Sequence, residues 1–287
     1  MDAPYAILET LEPGIARLLA NNPSPFTFTG TQTYLVGDAE LVAIDPGPDL
    51  PAHVAAILAA IAGRRLAAIA CTHTHRDHSP ASRALAAATG APIIGCAPLA
   101  IESVGPRTDA SFDFAYVPDR VLSDGEAIEV DGVRLIAVAT PGHTSNHLCF
   151  ALEGSGVVFS GDHVMGWSTS VVVPPDGDMG DYMASLEKLR RRDDRIYYPA
   201  HGPAVTRPQQ LVRGMLGHRM TREKQILKRL GAGDRTVEQI VVAAYPGLDP
   251  RLIPAAGASV TAHLLDLKRR GMVANRGHMG NEDWNVR

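Results

Sequence analysis

The chain has 287 residues, of which 45% are apolar and 20% charged, and its net charge is −4. These proportions are typical of a folded globular protein and exclude a disordered, collagen-like or coiled-coil chain. Three cysteines without a Cys-x-x-Cys pair argue against a disulfide framework and a cysteine zinc site, and they indicate a reducing compartment. The sequence contains neither an apolar run of ~20 residues nor a basic-then-apolar N-terminal signal. We therefore expect a soluble, cytoplasmic protein with no membrane partner.

The charge is distributed unevenly along the chain. Residues 1–206 carry 13 basic and 24 acidic side chains, a net charge of −11, whereas residues 207–287 carry 14 and 7, a net charge of +7. This asymmetry predicts two domains, 1–206 and 207–287. The basic tail indicates either an anionic partner or an ordinary solvated helical surface.

Short apolar runs separated by glycine and proline dominate residues 26–206. Strands are predicted at 31–37 and 40–47, the second closed by the turn 45–48, and a buried strand at 66–73. A helix over 50–62 ends at Gly63, and Ser79 is predicted to cap a second helix that has Pro80 in its first position. Further strands are predicted at 127–130, 133–139, 147–152, 157–160 and 196–198. Many strands with few helices indicate packed sheets flanked by helices.

The sequence changes character after residue 207. Helices are predicted at 209–230, 236–244 and 258–270, followed by a small hairpin that ends near Trp284. Three helices and a terminal hairpin are the components of a winged helix.

Three histidines and an aspartate lie within six residues at the end of a predicted buried strand: His73, His75, Asp77 and His78. In an extended segment His73 and His75 project to the same side, because side chains alternate with period two. The turn that follows can aim Asp77 and His78 at a second point. Imidazole and carboxylate groups suit zinc or a similar divalent ion, so this segment predicts the start of two adjacent metal positions.

Each metal position needs further ligands. Three candidates follow apolar runs and lie beside glycine or proline: His143, Asp162 and His201. Taken singly, each of them fits an ordinary turn. Together with the first cluster they complete a set of seven candidate metal ligands.

The order His73-x-His75-x-Asp77-His78, then His143, Asp162 and His201, resembles the metallo-β-lactamase fold hydrolases over residues 26–206. The resemblance implies an α/β fold, a four-layer αβ/βα sandwich with a two-metal site at one edge. It implies that the first metal is held by His73, His75 and His143. It implies that the second is held by Asp77, His78 and His201, and that Asp162 bridges both.

A narrower resemblance rests on four stretches, namely 161–170, 180–186, 198–203 and 218–227. These stretches are similar to the β-lactamase-like protein 2 subgroup, which carries a C-terminal winged helix. One animal branch of that subgroup is associated with endonucleolytic cleavage of single-stranded RNA, whereas bacterial members are often labelled hydroxyacylglutathione-hydrolase-like. The subgroup therefore implies two different substrate classes.

The ligand set indicates a hydrolytic chemistry. Two divalent ions, with zinc favoured and manganese or iron as alternatives, lower the pKa of a shared water and supply hydroxide near neutral pH. Asp162 as the bridge and Asp77 as a ligand that can orient the nucleophile are the candidate catalytic residues. We therefore expect a binuclear-metal-dependent hydrolase that uses a bridging hydroxide to cleave an ester, thioester or related acyl bond of a small-molecule substrate.

Two alternatives stay open. The first is an endoribonuclease or phosphodiesterase whose tail holds single-stranded RNA, with 268–270 as a phosphate patch. A basic run at a helix end also fits the helix dipole without any ligand. The second is a winged-helix nucleic-acid-binding protein with a structural metal site.

Further candidate site residues lie beside the ligands. His147 and His163 are candidate proton donors, and His147 also fits a structural role. The segment 167–170 is a candidate substrate-facing loop.

Overall fold

Two β-sheets face each other in the computed structural model, which describes residues 4–100, 112–276 and 283–287. The first sheet is mixed, and its strands follow the order of the chain. They are β1 (Glu9–Glu12), β2 (Ile15–Leu19), β3 (Gln32–Val36), β4 (Glu40–Ile44), β5 (Arg65–Cys71), β6 (Ile93–Gly95) and β7 (Arg120–Val121). Pairing is antiparallel from β1 to β4 and parallel from β4 to β7. Strands β1 and β2 lie before residue 26, where the sequence analysis predicted no element.

The second sheet has the order β12-β11-β10-β9-β8. Its strands are β8 (Ala127–Val130), β9 (Val133–Ala139), β10 (Leu148–Leu152), β11 (Val157–Gly161) and β12 (Ile196–Pro199). Neighbours are antiparallel except for β11 and β12, which are parallel. All five begin and end within one residue of their predicted bounds.

Side chains on the strands alternate between two hydrophobic cores. On β10, Leu148 and Phe150 belong to the core that joins both sheets, whereas Cys149 and Ala151 belong to a second core under helices. The first core also receives α1 (Pro51–Ile61) and α2 (Ala81–Thr89), and the second receives α3 (Met179–Arg190) and α4 (Pro208–Gly231). The layers run helix, sheet, sheet, helix, which confirms the expected four-layer sandwich.

The C-terminal region forms a third core of its own. It consists of α4, α5 (Val237–Ala244), α6 (Ile253–Arg269) and the hairpin β13 (Val273–Arg276) with β14 (Asp283–Val286), and it buries Trp284. The predicted helices and hairpin are therefore present, and Thr236 caps α5 through a capping box. The predicted start of the last helix at 258 is wrong: α6 begins five residues earlier, with Pro254 in its first turn, where its missing N–H costs nothing.

The predicted cap of α2 is also wrong. The helix begins at Ala81 with Pro80 in the cap position, and Ser79 makes no capping hydrogen bond. Instead the Ser79 hydroxyl donates to the Asp113 carboxylate across 2.9 Å, a charge-assisted hydrogen bond that orients this side chain toward Asp113. All three cysteines are buried and free. Within the described ranges, every helix is too short or too polar to cross a membrane.

Candidate metal centre

The predicted ligands leave their strands at one edge of the sandwich. His73 and His75 follow β5, His143 follows β9, Asp162 follows β11 and His201 follows β12. Strands β9 and β11 point the same way, because each is antiparallel to β10, and β12 is parallel to β11. The carboxyl ends of β9, β11 and β12 therefore lie at the same edge of the second sheet, next to the loop that follows β5.

All seven predicted ligands come together in two groups. Within each group the donor atoms lie within 4.8 Å of one another. The first group comprises His73, His75, His143 and Asp162, and the second comprises Asp77, His78 and His201. The arrangement coincides with the division that the resemblance implied.

The first group converges on one point. Nε2 of His73 lies 2.9 Å from Nδ1 of His75, and Nε2 of His143 lies 3.1 Å from the same atom. Oδ2 of Asp162 is 3.6 Å from Nε2 of His143. Three imidazole nitrogens and a carboxylate oxygen thus surround a volume of the size that one divalent ion occupies.

Asp162 also faces the second group. Its Oδ1 lies 3.2 Å from Nε2 of His201, and its Oδ2 lies 3.5 Å from Nε2 of His78. Oδ2 of Asp77 is 3.1 Å from Nε2 of His201 and 3.3 Å from Nε2 of His78. The two oxygens of one carboxylate are therefore available to both groups, as a bridging ligand requires.

The outer ring nitrogens show that the residues fit a divalent ion. Nδ1 of His143 donates to the Val171 carbonyl across 2.6 Å, and Nδ1 of His201 donates to the Gly30 carbonyl across 3.1 Å. A carbonyl only accepts, so each Nδ1 carries the proton. Each ring then turns Nε2 toward the centre, and Nε2 is the nitrogen that binds a metal once it carries no proton.

Asp45 also contacts the centre, although the sequence predicted only a turn at 45–48. Its carboxylate accepts hydrogen bonds from the Thr72 amide and the Thr72 hydroxyl, each 2.8 Å long, and from Nδ1 of His78 at 3.0 Å. The Asp45 carboxylate thus fixes the ring orientation of His78, as the Val171 and Gly30 carbonyls do for His143 and His201. An acid directly after a buried strand that neighbours the histidine-bearing strand was the available signal.

The two groups carry different charge when no ion is bound. Burial lowers the pKa of His201, but the Asp162 and Asp77 carboxylates outweigh it and raise the pKa to about 10. Burial likewise opposes protonation of His78, yet the same carboxylates hold its pKa well above the usual value. Burial and the neighbouring imidazoles keep the pKa of His73 well below normal. The second group therefore stores protons that a cation can replace.

Two glycines allow the close packing around the centre, and each immediately precedes a candidate ligand. Gly161 has a φ of +51°, and a Cβ there would lie 2.6 Å from Nε2 of His147. Gly142 has a φ of +134°, and its Cβ would lie 2.3 Å from Cα of Tyr182. Both positions combine a backbone conformation and a closeness of approach that only glycine accepts.

The two candidate proton donors lie behind the ligands. His147 accepts a hydrogen bond from the Asp162 amide at 3.2 Å, and its Nδ1 contacts the Thr140 hydroxyl at 2.9 Å. The ring of His163 stacks near Tyr182, with 4.6 Å between centroids, and burial lowers its pKa to about 3. A buried ring with so low a pKa is a neutral imidazole near neutral pH and is not the imidazolium that a proton donor of this kind requires.

A cavity of about 360 Å³ opens directly over both groups. Its exposed surface is largely apolar, and four apolar side chains contribute to it: Phe26, Pro48, Met165 and Val171. The rest of the lining consists of candidate ligands, Arg76 and the polar residues Asn22, Ser24 and Thr27. The segment 167–170 contributes less than predicted, because Trp167 stacks on Phe28, with 5.0 Å between ring centroids, while Met165 and Val171 on either side face the cavity. Arg76 lies at the rim and is exposed.

The basic run 268–270 is engaged by carboxylates. Arg269 forms two hydrogen bonds of 2.8 Å with Asp178, and Arg270 pairs with Glu223 and, at 3.1 Å, with Asp266. Asp178 caps α3, so the first of these pairs links α6 to the sandwich.

Sequence comparisons agree with both regions. The pattern of the metallo-beta-lactamase superfamily matches residues 26–201, and that of the beta-lactamase associated winged helix domain matches residues 236–284. The atrochrysone carboxyl ACP thioesterase dmxR1 of Cryptosporiopsis sp. is 30% identical over 99% of this chain and 88% of its own length. The beta-lactamase-like protein 2 homolog of Caenorhabditis elegans is 33% identical over 78% of this chain and 73% of its own.

Solved structures share the fold over the whole chain. A beta-lactamase domain protein from Burkholderia ambifaria aligns with a TM-score of 0.81 at 18% identity, covering 100% of this chain and 96% of its own. A metallo-beta-lactamase family protein from Thermus thermophilus aligns with a TM-score of 0.75 at 24% identity, covering 97% of this chain and 100% of its own.

Proposed function

The chain belongs to the metallo-β-lactamase superfamily of metal-dependent hydrolases, and from this premise we propose that it is a thioesterase that cleaves an acyl thioester. The observation that carries the proposal is the apolar cavity over the two ligand groups. A largely apolar wall suits an acyl group, and the groups at its floor suit a reaction at the carbonyl. The fungal relatives named as acyl-carrier-protein thioesterases support the same bond type, without pointing to hydroxyacylglutathione in particular.

We propose that two divalent ions, with zinc favoured, occupy the centre. His73, His75 and His143 hold the first, Asp77, His78 and His201 hold the second, and Asp162 bridges them. When bound, such ions supply a water activated near neutral pH and positive charge for the developing oxyanion.

Other residues of the chain hold the candidate ligands in fixed orientations and line the cavity above them. The Val171 and Gly30 carbonyls and the Asp45 carboxylate lock the imidazoles that face the ions. Asp77 presents Oδ2 both to its own group and to the Thr31 hydroxyl, which donates at 3.5 Å and limits how that carboxylate turns. Phe26 and Met165 offer apolar surface to an acyl group in the cavity.

We also propose two domains, 1–206 and 207–287, and a cytoplasmic location. A boundary near residue 206 falls between β12 and α4, and three free buried cysteines support the cytoplasmic location. Cleavage of single-stranded RNA stays the alternative function. The carboxylates that pair with Arg269 and Arg270 weigh against a phosphate patch in the run 268–270.

A substrate panel tests the proposal. Metal-loaded protein is assayed on acyl thioesters of coenzyme A and of N-acetylcysteamine, on the matching oxygen esters and on single-stranded RNA. We expect the thioesters to be cleaved fastest, and Asp77→Asn to abolish that cleavage, whereas Asp194→Asn, which alters a buried carboxylate paired with Arg192, retains it. Cleavage of RNA without cleavage of any thioester contradicts the proposal.

A further inference from the structure

Arg219 on α4 is a buried cation. Only 4% of its surface is exposed, and within the described ranges it forms no ion pair with a carboxylate. Its guanidinium donates through Nη2 to the Ser170 carbonyl and through Nη1 to the Ser259 hydroxyl at 3.4 Å, and it lies over the Tyr182 ring at 5.1 Å. Burying a charge is costly, so this side chain is held by the groups it contacts.

The carbonyl that Arg219 binds lies next to the metal centre. Ser170 precedes Val171, whose own carbonyl accepts the Nδ1 hydrogen bond of His143 at 2.6 Å. Val171 also lines the cavity over the centre. The Ser170 carbonyl therefore binds Arg219 of α4, and the next carbonyl along the backbone, that of Val171, binds the candidate ligand His143.

Packing alone does not account for an arginine here. An apolar side chain of similar length would fill the same space against Tyr182 without the cost of burying a charge. What arginine adds is a planar set of donors that fixes a carbonyl in one orientation. A neighbour on the same helix shows the contrast: Arg222 lies 3.7 Å from the Tyr245 ring and donates to the Ala244 carbonyl, contacts that remain within the C-terminal region.

We propose that Arg219 is a positioning residue: it fixes the Ser170–Val171 backbone, and through it the ring of His143, so that the C-terminal region completes the first ligand group. The inference rests on the ligand assignment proposed above and is independent of the substrate. It predicts that loss of the Arg219 donors weakens binding of one ion while the second group keeps its affinity.

The test is a metal titration of the full chain. Metal-free parent, Arg219→Met, Arg219→Lys and Arg222→Met are titrated with Zn²⁺ and with Co²⁺, whose absorption reports the ligand geometry. We expect Arg219→Met to bind one of its two ions about 10-fold more weakly, with an altered Co²⁺ spectrum, as is typical when a partner of a ligating histidine is lost. Arg219→Lys, which keeps a donor and the charge, recovers part of the affinity, and Arg222→Met behaves as the parent.

Parent-like affinity and an unchanged Co²⁺ spectrum in folded Arg219→Met overturn the inference, whatever the substrate panel shows. If Arg219→Met fails to fold, Arg219→Lys decides alone: a partial loss of affinity for one ion, with an altered Co²⁺ spectrum, is the expected result, because lysine keeps one donor but lacks the planar set of donors that arginine presents to the carbonyl. A folded Arg219→Lys protein with the parent's spectrum then refutes the positioning role. If no thioester is cleaved but the titration gives the expected result, the proposed function fails and this inference stands.

Discussion

The backbone amide of Asp162 donates a hydrogen bond to Nε2 of His147 across 3.2 Å. Since Nε2 accepts, the ring carries its proton on Nδ1, which donates to the Thr140 hydroxyl at 2.9 Å. A buried imidazole with both nitrogens engaged thus anchors the backbone of the residue that faces both ligand groups.

Replacing His147 by Ala should weaken metal binding and turnover by about 10- to 100-fold, because the Asp162 carboxylate loses its fixed backbone. Metal titration and steady-state kinetics measure the two effects. His263→Ala is the matched control, since it also removes a buried imidazole but lies on α6 in the C-terminal core. It should lower the free energy of unfolding and leave metal affinity as in the parent. Equal losses of metal affinity in both variants would show that His147 acts only through stability.

Asp162→Ala should release one of the two ions and lower turnover by about 100-fold or more, because its carboxylate faces His143 in the first group and His201 in the second. Elemental analysis after gel filtration gives the stoichiometry, and the thioester assay gives the rate. The fold should persist, since the sandwich has its own cores. Near-normal turnover with two bound ions argues that the carboxylate is not a bridge.

Metal binding to the two groups should depend differently on pH. In the metal-free protein the pKa of His201 is raised to about 10, so this imidazole is protonated at pH 8 and a cation must displace the proton. Affinity of the second group should therefore fall as the pH drops below about 10, by up to tenfold per pH unit for each displaced proton. His73, whose pKa is lowered, is already neutral, so the first group loses its ion only at more acidic pH.

Proton release measures this difference directly. Loading metal-free protein in weak buffer at pH 8 should release few protons with the first ion and at least one with the second. His201→Gln should remove one proton from the second step. Equal release in both steps is the result that contradicts the assignment of charge to the two groups.

Replacing Lys268, Arg269 and Arg270 together by Ala should leave any binding of single-stranded RNA unchanged, because two of the three cations are already paired with carboxylates. Exposed ion pairs contribute about 0–1 kcal/mol each, so the variant should lose little stability. Filter binding at several salt concentrations decides the matter. Steep salt dependence in the parent that flattens in the variant would restore the phosphate patch.

Arg76 is exposed at the rim of the cavity and has no ion pair in the described ranges. We expect it to contact an anionic group of the substrate, so Arg76→Ala should raise KM for a coenzyme A thioester about 10-fold with little change in kcat. The N-acetylcysteamine thioester lacks phosphate and serves as the control, with an unchanged KM. A rise in KM for both substrates would point to a general distortion of the cavity instead.

Local spacing was enough to single out the seven candidate ligands that the structure brings together, because His73 to His78 lie close in sequence and each remaining candidate follows an apolar strand beside glycine or proline. The alternation of apolar residues likewise predicted the second sheet closely. Residues that act through contacts distant in sequence escaped prediction. Asp45 resembles any turn aspartate until β4 pairs with β5, and Arg219 lies within an ordinary amphipathic helix until α4 docks on the loop near His143.

The ligands of the centre leave strands of both sheets, so only the stretch from His73 to His78 stays together when the chain unfolds. Ions that need the complete set bind the native state alone, and at 100 times their Kd each would add about 2.7 kcal/mol to the free energy of unfolding. Bound ions would then stabilise this edge of the sandwich in addition to taking part in the reaction. On the proposed ligand assignment, the metal-free chain is easier to unfold, and hence to digest with a protease, than the chain with both ions bound.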